Sequence, residues 1–215
     1  MLHSLHRLLW LALLACALPL AAAHAADPPA PPAFEEGKDY VRLSTPIPPA
    51  TPGNIEVVEM FSYRCPHCYR LDSAVREWLK RKPGHVAFVQ VAVFAGYHPA
   101  YESAARAYYA AEELGVLDQV HQPLFDAIHR DNRKLDSEDD LAAFFAERGV
   151  DQGAFRKAYH SFKTDTQMRR ASQLAQRYGV RGVPAIFVNG QYEVRSPRPF
   201  EVVDFLLAKL AAPQG

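Results

Sequence analysis

Cysteine is scarce in this chain of 215 residues: it has three, Cys16, Cys65 and Cys68, and the first lies in an apolar amino-terminal run. So few sulfurs exclude a scaffold held by many disulfides. They also argue against a structural metal site, which needs about four ligands. Beyond Cys65 and Cys68 those ligands would have to come from scattered histidines such as His85, His98, His121, His129 and His160. No metal is expected. Excess charge is lacking too: 24 lysines and arginines face 24 aspartates and glutamates. Nothing here suggests nucleic acid, which normally requires a concentrated basic surface. The longest apolar run, Leu8 to Leu20, is too short for a comfortable membrane span. No internal repeat is apparent.

The apolar run follows His3, His6 and Arg7 and gives way to small residues, the pattern of a secretory signal peptide. Ala23-His24-Ala25 fits the peptidase, so residues 1–25 are assigned as signal with the cut after Ala25. Cys16 leaves with it. A rival reading takes Leu13-Leu14-Ala15-Cys16 as a lipoprotein signal with Cys16 lipid-anchored, although leucine two before the cysteine fits poorly. Cleavage leaves 23 basic against 24 acidic residues, so the mature chain stays nearly neutral. Export places the remaining cysteine pair where it can rest as a disulfide.

Cys65-Pro66-His67-Cys68 is then the informative stretch. A bond closing so short a loop removes little unfolded-state entropy, so it suits making and breaking rather than stapling. The β-branched run 55–63 leads into it, and Pro66 suits the first position of a helix continuing through Leu79. That junction puts Cys65 at the helix N-cap, beside unpaired N–H groups and the positive end of the helix dipole, which favour a thiolate. Cys65 is the attackable sulfur. Cys68, one turn inward, is expected to be buried, held as a thiol, and to act as the resolving partner. His67 is placed to donate a hydrogen bond, or a charge when protonated, to Cys65.

Residues 26–39 form a proline-rich lead-in, and prolines 46–52 a loop before the first central strand. A buried strand is predicted over 86–94, with Gly84 stopping the helix before it. Helices follow over 100–114, 118–130, 137–148 with Ser137 and Asp140 as caps, 150–161, and 164–178 ended by Gly179. Asn189-Gly190 between 185–188 and 191–194 marks a hairpin, and 199–210 a last helix. The aromatic residues of the helical block, Tyr108 and Phe125 among them, are read as core.

Glu59-Met60-Phe61-Ser62-Tyr63-Arg64-Cys65-Pro66-His67-Cys68-Tyr69, with Gly182-Val183-Pro184-Ala185-Ile186-Phe187-Val188-Asn189-Gly190 far downstream, resembles the DsbA family of bacterial periplasmic thiol:disulfide interchange proteins. The resemblance runs from Phe34 to the last helix. It implies an α/β thioredoxin fold with an inserted α-helical domain: 40–96 and 166–215 for the thioredoxin parts, 97–165 for the insertion. It implies further that Pro184 follows a cis peptide bond facing the disulfide and that the Val183 backbone pairs with an extended substrate. Glu59 becomes a buried acid serving the Cys68 proton, where the residues alone allow a solvated strand-face charge. The family often sets a lysine near that acid from the next strand, and 86–94 contains none. Asp72 matches the acidic position after the motif or is a solvated helix-face charge.

The function expected is that of a periplasmic oxidant, a monomer without a bound cofactor. It donates its Cys65–Cys68 disulfide to reduced exported proteins through a mixed disulfide. The resemblance implies reoxidation by a membrane quinone reductase of the DsbB type. The alternatives are a thioredoxin-like reductase, a disulfide isomerase, and a non-catalytic metal-binding module.

Overall fold

The run Ile55–Phe61 is a strand with both faces covered, which is why its residues are apolar almost without alternation. The computed structural model describes residues 33–50, 53–94 and 99–212; the expected leader 1–25 and Cys16 lie outside them. Five strands, β1 (Tyr40–Arg42), β2 (Ile55–Phe61), β3 (Val86–Ala92), β4 (Ala185–Val188) and β5 (Tyr192–Val194), form one sheet ordered β1-β5-β4-β2-β3. Only β2 and β3 pair in parallel; β4 runs antiparallel to β2, β5 to β4 and β1 to β5.

Helices α1 (Pro66–Leu79) and α7 (Pro199–Ala211) supply one apolar layer, in which Val75, Trp78, Phe200 and Leu206 cluster with Val57, Ile186 and Val188. Trp78 anchors it: its ring stacks on Phe200 at 5.2 Å and its indole N–H donates to Asp204 at 2.8 Å. Burial of each such side chain contributes roughly 1.5–3 kcal/mol. The other apolar layer takes Val58, Met60 and Phe187 from the strands. It is completed by helices inserted between β3 and β4: α2 (Pro99–Leu114), α3 (Leu117–His129), α4 (Glu138–Ala146), α5 (Gln152–Tyr159) and α6 (Phe162–Arg177). The result is a thioredoxin fold with a helical insertion.

Three details differ from expectation. The boundary at residue 165 falls inside the first turn of α6, because Ser161 accepts from the Thr164 N–H and starts a helix that runs unbroken to Arg177. Helix α1 stops before Gly84: Lys80 closes it, and the N–H groups of Arg81 and Lys82 fold back onto the Trp78 carbonyl. Strand β1 carries no strand pattern, being three residues long at the sheet edge; it is held by its ladder to β5 and by Tyr40 against Tyr192 at 5.6 Å.

The hairpin matters because its first strand, β4, lies beside β2 in the sheet and its second, β5, returns along β4. Asn189 and Gly190 have φ of 52° and 61°, the two positive values of a type I′ turn. Gly190 is required twice over, since a Cβ there would lie 1.7 Å from the Ile47 carbonyl oxygen. The same carbonyl belongs to the proline loop before β2, whose Ile47 N–H donates to Gly190 O at 2.8 Å.

Candidate active site

Strand β2 ends at Phe61, and after a short loop α1 begins at Pro66 with Cys65 as its N-cap, φ −93° and ψ 115°. Proline at N1 sacrifices no helical hydrogen bond, and the extended cap residue turns its sulfur over the helix end. Cys65 Sγ accepts from the Cys68 N–H at 3.4 Å and, as a thiol, donates to the Val183 carbonyl at 3.2 Å. Both cysteines are free here, Cys65 half-buried and Cys68 only 1% exposed.

The two sulfurs are driven apart in acidity. A hydrogen bond from the Cys68 thiol is the largest cause that lowers Cys65, to about 6; the N–H groups of Cys68 and His67 and the His67 charge assist, while partial burial opposes. Cys68 is pushed up by the same sulfur–sulfur bond, by burial, and by the charges of Cys65 and Glu59. The strongest influence on the reactive thiolate is therefore its own partner, ahead of the helix terminus.

Of the two roles expected of His67, the charge acts on Cys65 and the ring hydrogen bond is not formed. Its ring lies at the exposed surface, with Nδ1 2.8 Å from Arg70 Nη2, and it makes no hydrogen bond to sulfur. What residue 67 brings to Cys65 is its backbone N–H and a weaker charge effect. At the helix start the backbone already faces the sulfur, so the ring is free to turn outward along α1.

On the far side of the sulfur the Val183–Pro184 peptide bond is cis. The Val183 N–H has no hydrogen-bond partner among the described residues. A cavity of about 690 Å³ opens beside it, walled by His67, Arg70, Leu71, Val183, Pro184 and Pro197.

Beneath the sulfurs lies the buried acid that the resemblance implies, with a partner that the sequence does not announce. Glu59 is 2% exposed on β2, and the parallel ladder places Gln90 of β3 opposite it. Gln90 Nε2 donates to Glu59 Oε2 at 2.9 Å. Burial raises the Glu59 carboxyl to about 7; the Gln90 bond holds it down and the Asp72 charge adds to the rise. A neutral amide thus stands where a lysine would fix the acid as an anion. Asp72 is no solvated helix-face charge: it is 3% exposed, paired with Arg76 at 3.0 Å and lying 3.3 Å from His121 Nε2.

Helix α3 supplies a second missed set. His121 Nδ1 lies 2.7 Å from the Tyr63 hydroxyl, His129 Nε2 donates to the Tyr63 carbonyl at 2.7 Å, and Phe125 packs on the Tyr63 ring at 4.8 Å. These three recur at four-residue spacing, one stripe of α3 facing the loop before Cys65. Their spacing was legible; their target was not. Among the described residues no three His, Cys, Asp or Glu side chains converge to hold a metal ion.

Comparison with known proteins agrees with this geometry. Residues 93–206 match the family model for a DSBA-like thioredoxin domain, a stretch that lies downstream of the cysteine pair. The chain is 43% identical over 157 residues to the thiol:disulfide interchange protein DsbA of Azotobacter vinelandii, covering 73% of this chain and 72% of that one. To the Burkholderia cepacia protein of the same name it is 32% identical over 207 residues, covering 93% and 96%. The crystal structure of Pseudomonas aeruginosa DsbA superposes with a TM-score of 0.76 at 37% identity, over 82% of this chain and 94% of that one.

Proposed function

The chain belongs to the DsbA family of thioredoxin-fold thiol:disulfide oxidoreductases, and on that premise we propose that it is a periplasmic oxidant that donates its Cys65–Cys68 disulfide to newly exported proteins. The observation that carries this reading is the divergence of the two sulfurs, Cys65 held near 6 and Cys68 pushed up. A low-pKa sulfur departs readily, so a disulfide made to it is readily given away.

A substrate thiolate attacks Cys65 Sγ; the Cys65–Cys68 bond breaks, and Cys68 leaves and takes up a proton. A second substrate thiolate attacks the substrate sulfur of the mixed disulfide, and Cys65 departs as a thiolate. Two electrons enter the protein and one disulfide enters the substrate. The extended substrate pairs with the Val183 backbone beside Pro184. Deprotonation of Cys65 also releases the Val183 carbonyl, since only the thiol can donate to it. Reoxidation falls to a quinone-linked membrane protein of the DsbB type. Among the described residues no helix is long and apolar enough to cross a membrane.

The test is stoichiometric. Oxidised protein mixed with a reduced, unfolded multi-cysteine protein at neutral pH should pass its disulfide on nearly completely, with a mixed disulfide to Cys65 trapped by acid quench. Retention of the disulfide by this chain at equilibrium would overturn the oxidant reading and leave a reductase.

Glu59, neutral below about 7, is the proton source for the departing Cys68. Corrected for substrate ionisation, mixed-disulfide formation should fall as pH rises through about 7. Glu59→Gln should slow that step by about a hundredfold, the low end for general acid catalysis, and remove the inflection. Rapid-quench kinetics across this range decide the point; an unchanged profile in the variant assigns the proton to another group.

A further inference from the structure

The cavities that meet at the Val183–Pro184 loop carry charge of nearly one sign. The cavity of about 690 Å³ beside α1 has Arg70 and His67 on its wall and no acid. A second, about 670 Å³ and walled by Ser62, Phe94, Tyr101 and Val183, has Arg181 and no acid. A third, about 530 Å³, has Arg42, Arg181, Arg195 and a single acid, Glu193. That acid is already taken, by Arg195 at 3.0 Å, and Glu36 beside the third cavity lies 3.7 Å from Arg42. The bias is local, because the whole chain balances 24 basic against 24 acidic residues.

Two of these arginines have no carboxylate partner. Arg70 is exposed, and its side chain bonds only the His67 ring among the described residues. Arg181 is exposed, has no bond or ion pair among the described residues, and lies two residues before Val183. Most other arginines of the described structure are matched to acids, including Arg64, Arg76, Arg81, Arg106, Arg133 and Arg156. Unmatched arginines on both sides of a backbone edge form a surface of positive potential, and such a surface accelerates encounter with anionic segments.

We propose that Arg70 and Arg181 form a cationic rim that selects substrate segments bearing Asp or Glu next to the reacting cysteine. The selection rests on the reading that a substrate thiolate attacks Cys65 while its backbone lies along Val183. It acts on the rate of encounter and docking, leaving the sulfur chemistry itself unchanged.

The experiment uses three reduced single-cysteine peptides that differ only in flanking residues: Asp, Asn or Lys. Each rate of mixed-disulfide formation with the oxidised protein is divided by the same peptide's rate with 2-hydroxyethyl disulfide, which removes the effect of the flanks on thiol ionisation. The normalised rates should fall in the order Asp, Asn, Lys, spanning about tenfold at low salt. The span should shrink as salt rises to about 0.5 M, where the screening length is only a few ångströms. Arg70→Gln with Arg181→Gln should cut it to about twofold. Equal normalised rates, or a span unchanged in the double variant, overturn the rim while leaving the oxidant reading intact. Failure of even the Asn peptide to join Cys65 overturns both.

Discussion

Cys65→Ser should reduce oxidation of a thiol protein to the uncatalysed rate, whereas Cys68→Ser should leave a protein that attacks disulfides and then stalls as a mixed disulfide. The asymmetry follows from burial: Cys65 is half-buried with its sulfur at the helix end, and Cys68 is 1% exposed beneath it. The Cys68 variants separate further. The leading cause of the low Cys65 value is the bond from the Cys68 thiol, and serine at 68 retains a donor while alanine does not. Thiolate absorbance in the far ultraviolet should therefore show Cys65 titrating closer to an ordinary thiol in Cys68→Ala than in Cys68→Ser. Identical titrations in the two would mean that the helix terminus alone sets the acidity.

What could be read in advance was whatever chemistry is local in the chain. A proline two residues before a cysteine, after a β-branched run, specifies a strand-to-helix junction and so which sulfur caps the helix. Ser137 and Asp140 are three apart, and both halves of their capping box are present. Asn189-Gly190 states its own turn type. What escaped depends on which distant elements meet. Gln90 becomes a ligand of Glu59 only through the register of β2 against β3, which no residue near either position encodes. Tyr63 and His121 are 58 positions apart and touch because α3 crosses behind the loop.

Asp72 shows how tertiary covering overrides a local reading. On an isolated α1 it would be a solvated charge, one turn past Cys68; packed under α3 it is buried between Arg76 and His121. Its negative charge then raises both Glu59 and Tyr63, so an acid that looked incidental helps keep its neighbour protonated. His67 divides. Its place between the cysteines suggested a ring bonded to sulfur or a charge beside it; the charge reaches Cys65, while at the N-terminus of a helix the backbone N–H groups occupy the bonding space first.

The stability of the reduced protein relative to the oxidised should rise as pH goes from about 6 to about 9 and be flat below that window. In the reduced fold Cys65 ionises at about 6 rather than its ordinary 9.0. A depressed value means that the folded state binds fewer protons across this window, so the thiolate's contribution is complete above the unfolded value and lost as pH falls through the folded one. Three units correspond to about 4 kcal/mol, and because Cys65 is open to solvent on one side, screening leaves about 2 kcal/mol. The disulfide's own contribution through the unfolded chain is small for so short a loop and does not depend on pH. The slope, and not the sign at one pH, is therefore the signature of the thiolate. Burial of Glu59 weighs on both redox forms and cancels to first order, while above about 9 the raised Cys68 thiol begins to reverse the gain of the reduced form. Denaturant titrations of both forms at several pH values measure it, and reduced wild type against reduced Cys65→Ser should show the same slope; a gap constant across the window would mean that Cys65 is no thiolate at neutral pH.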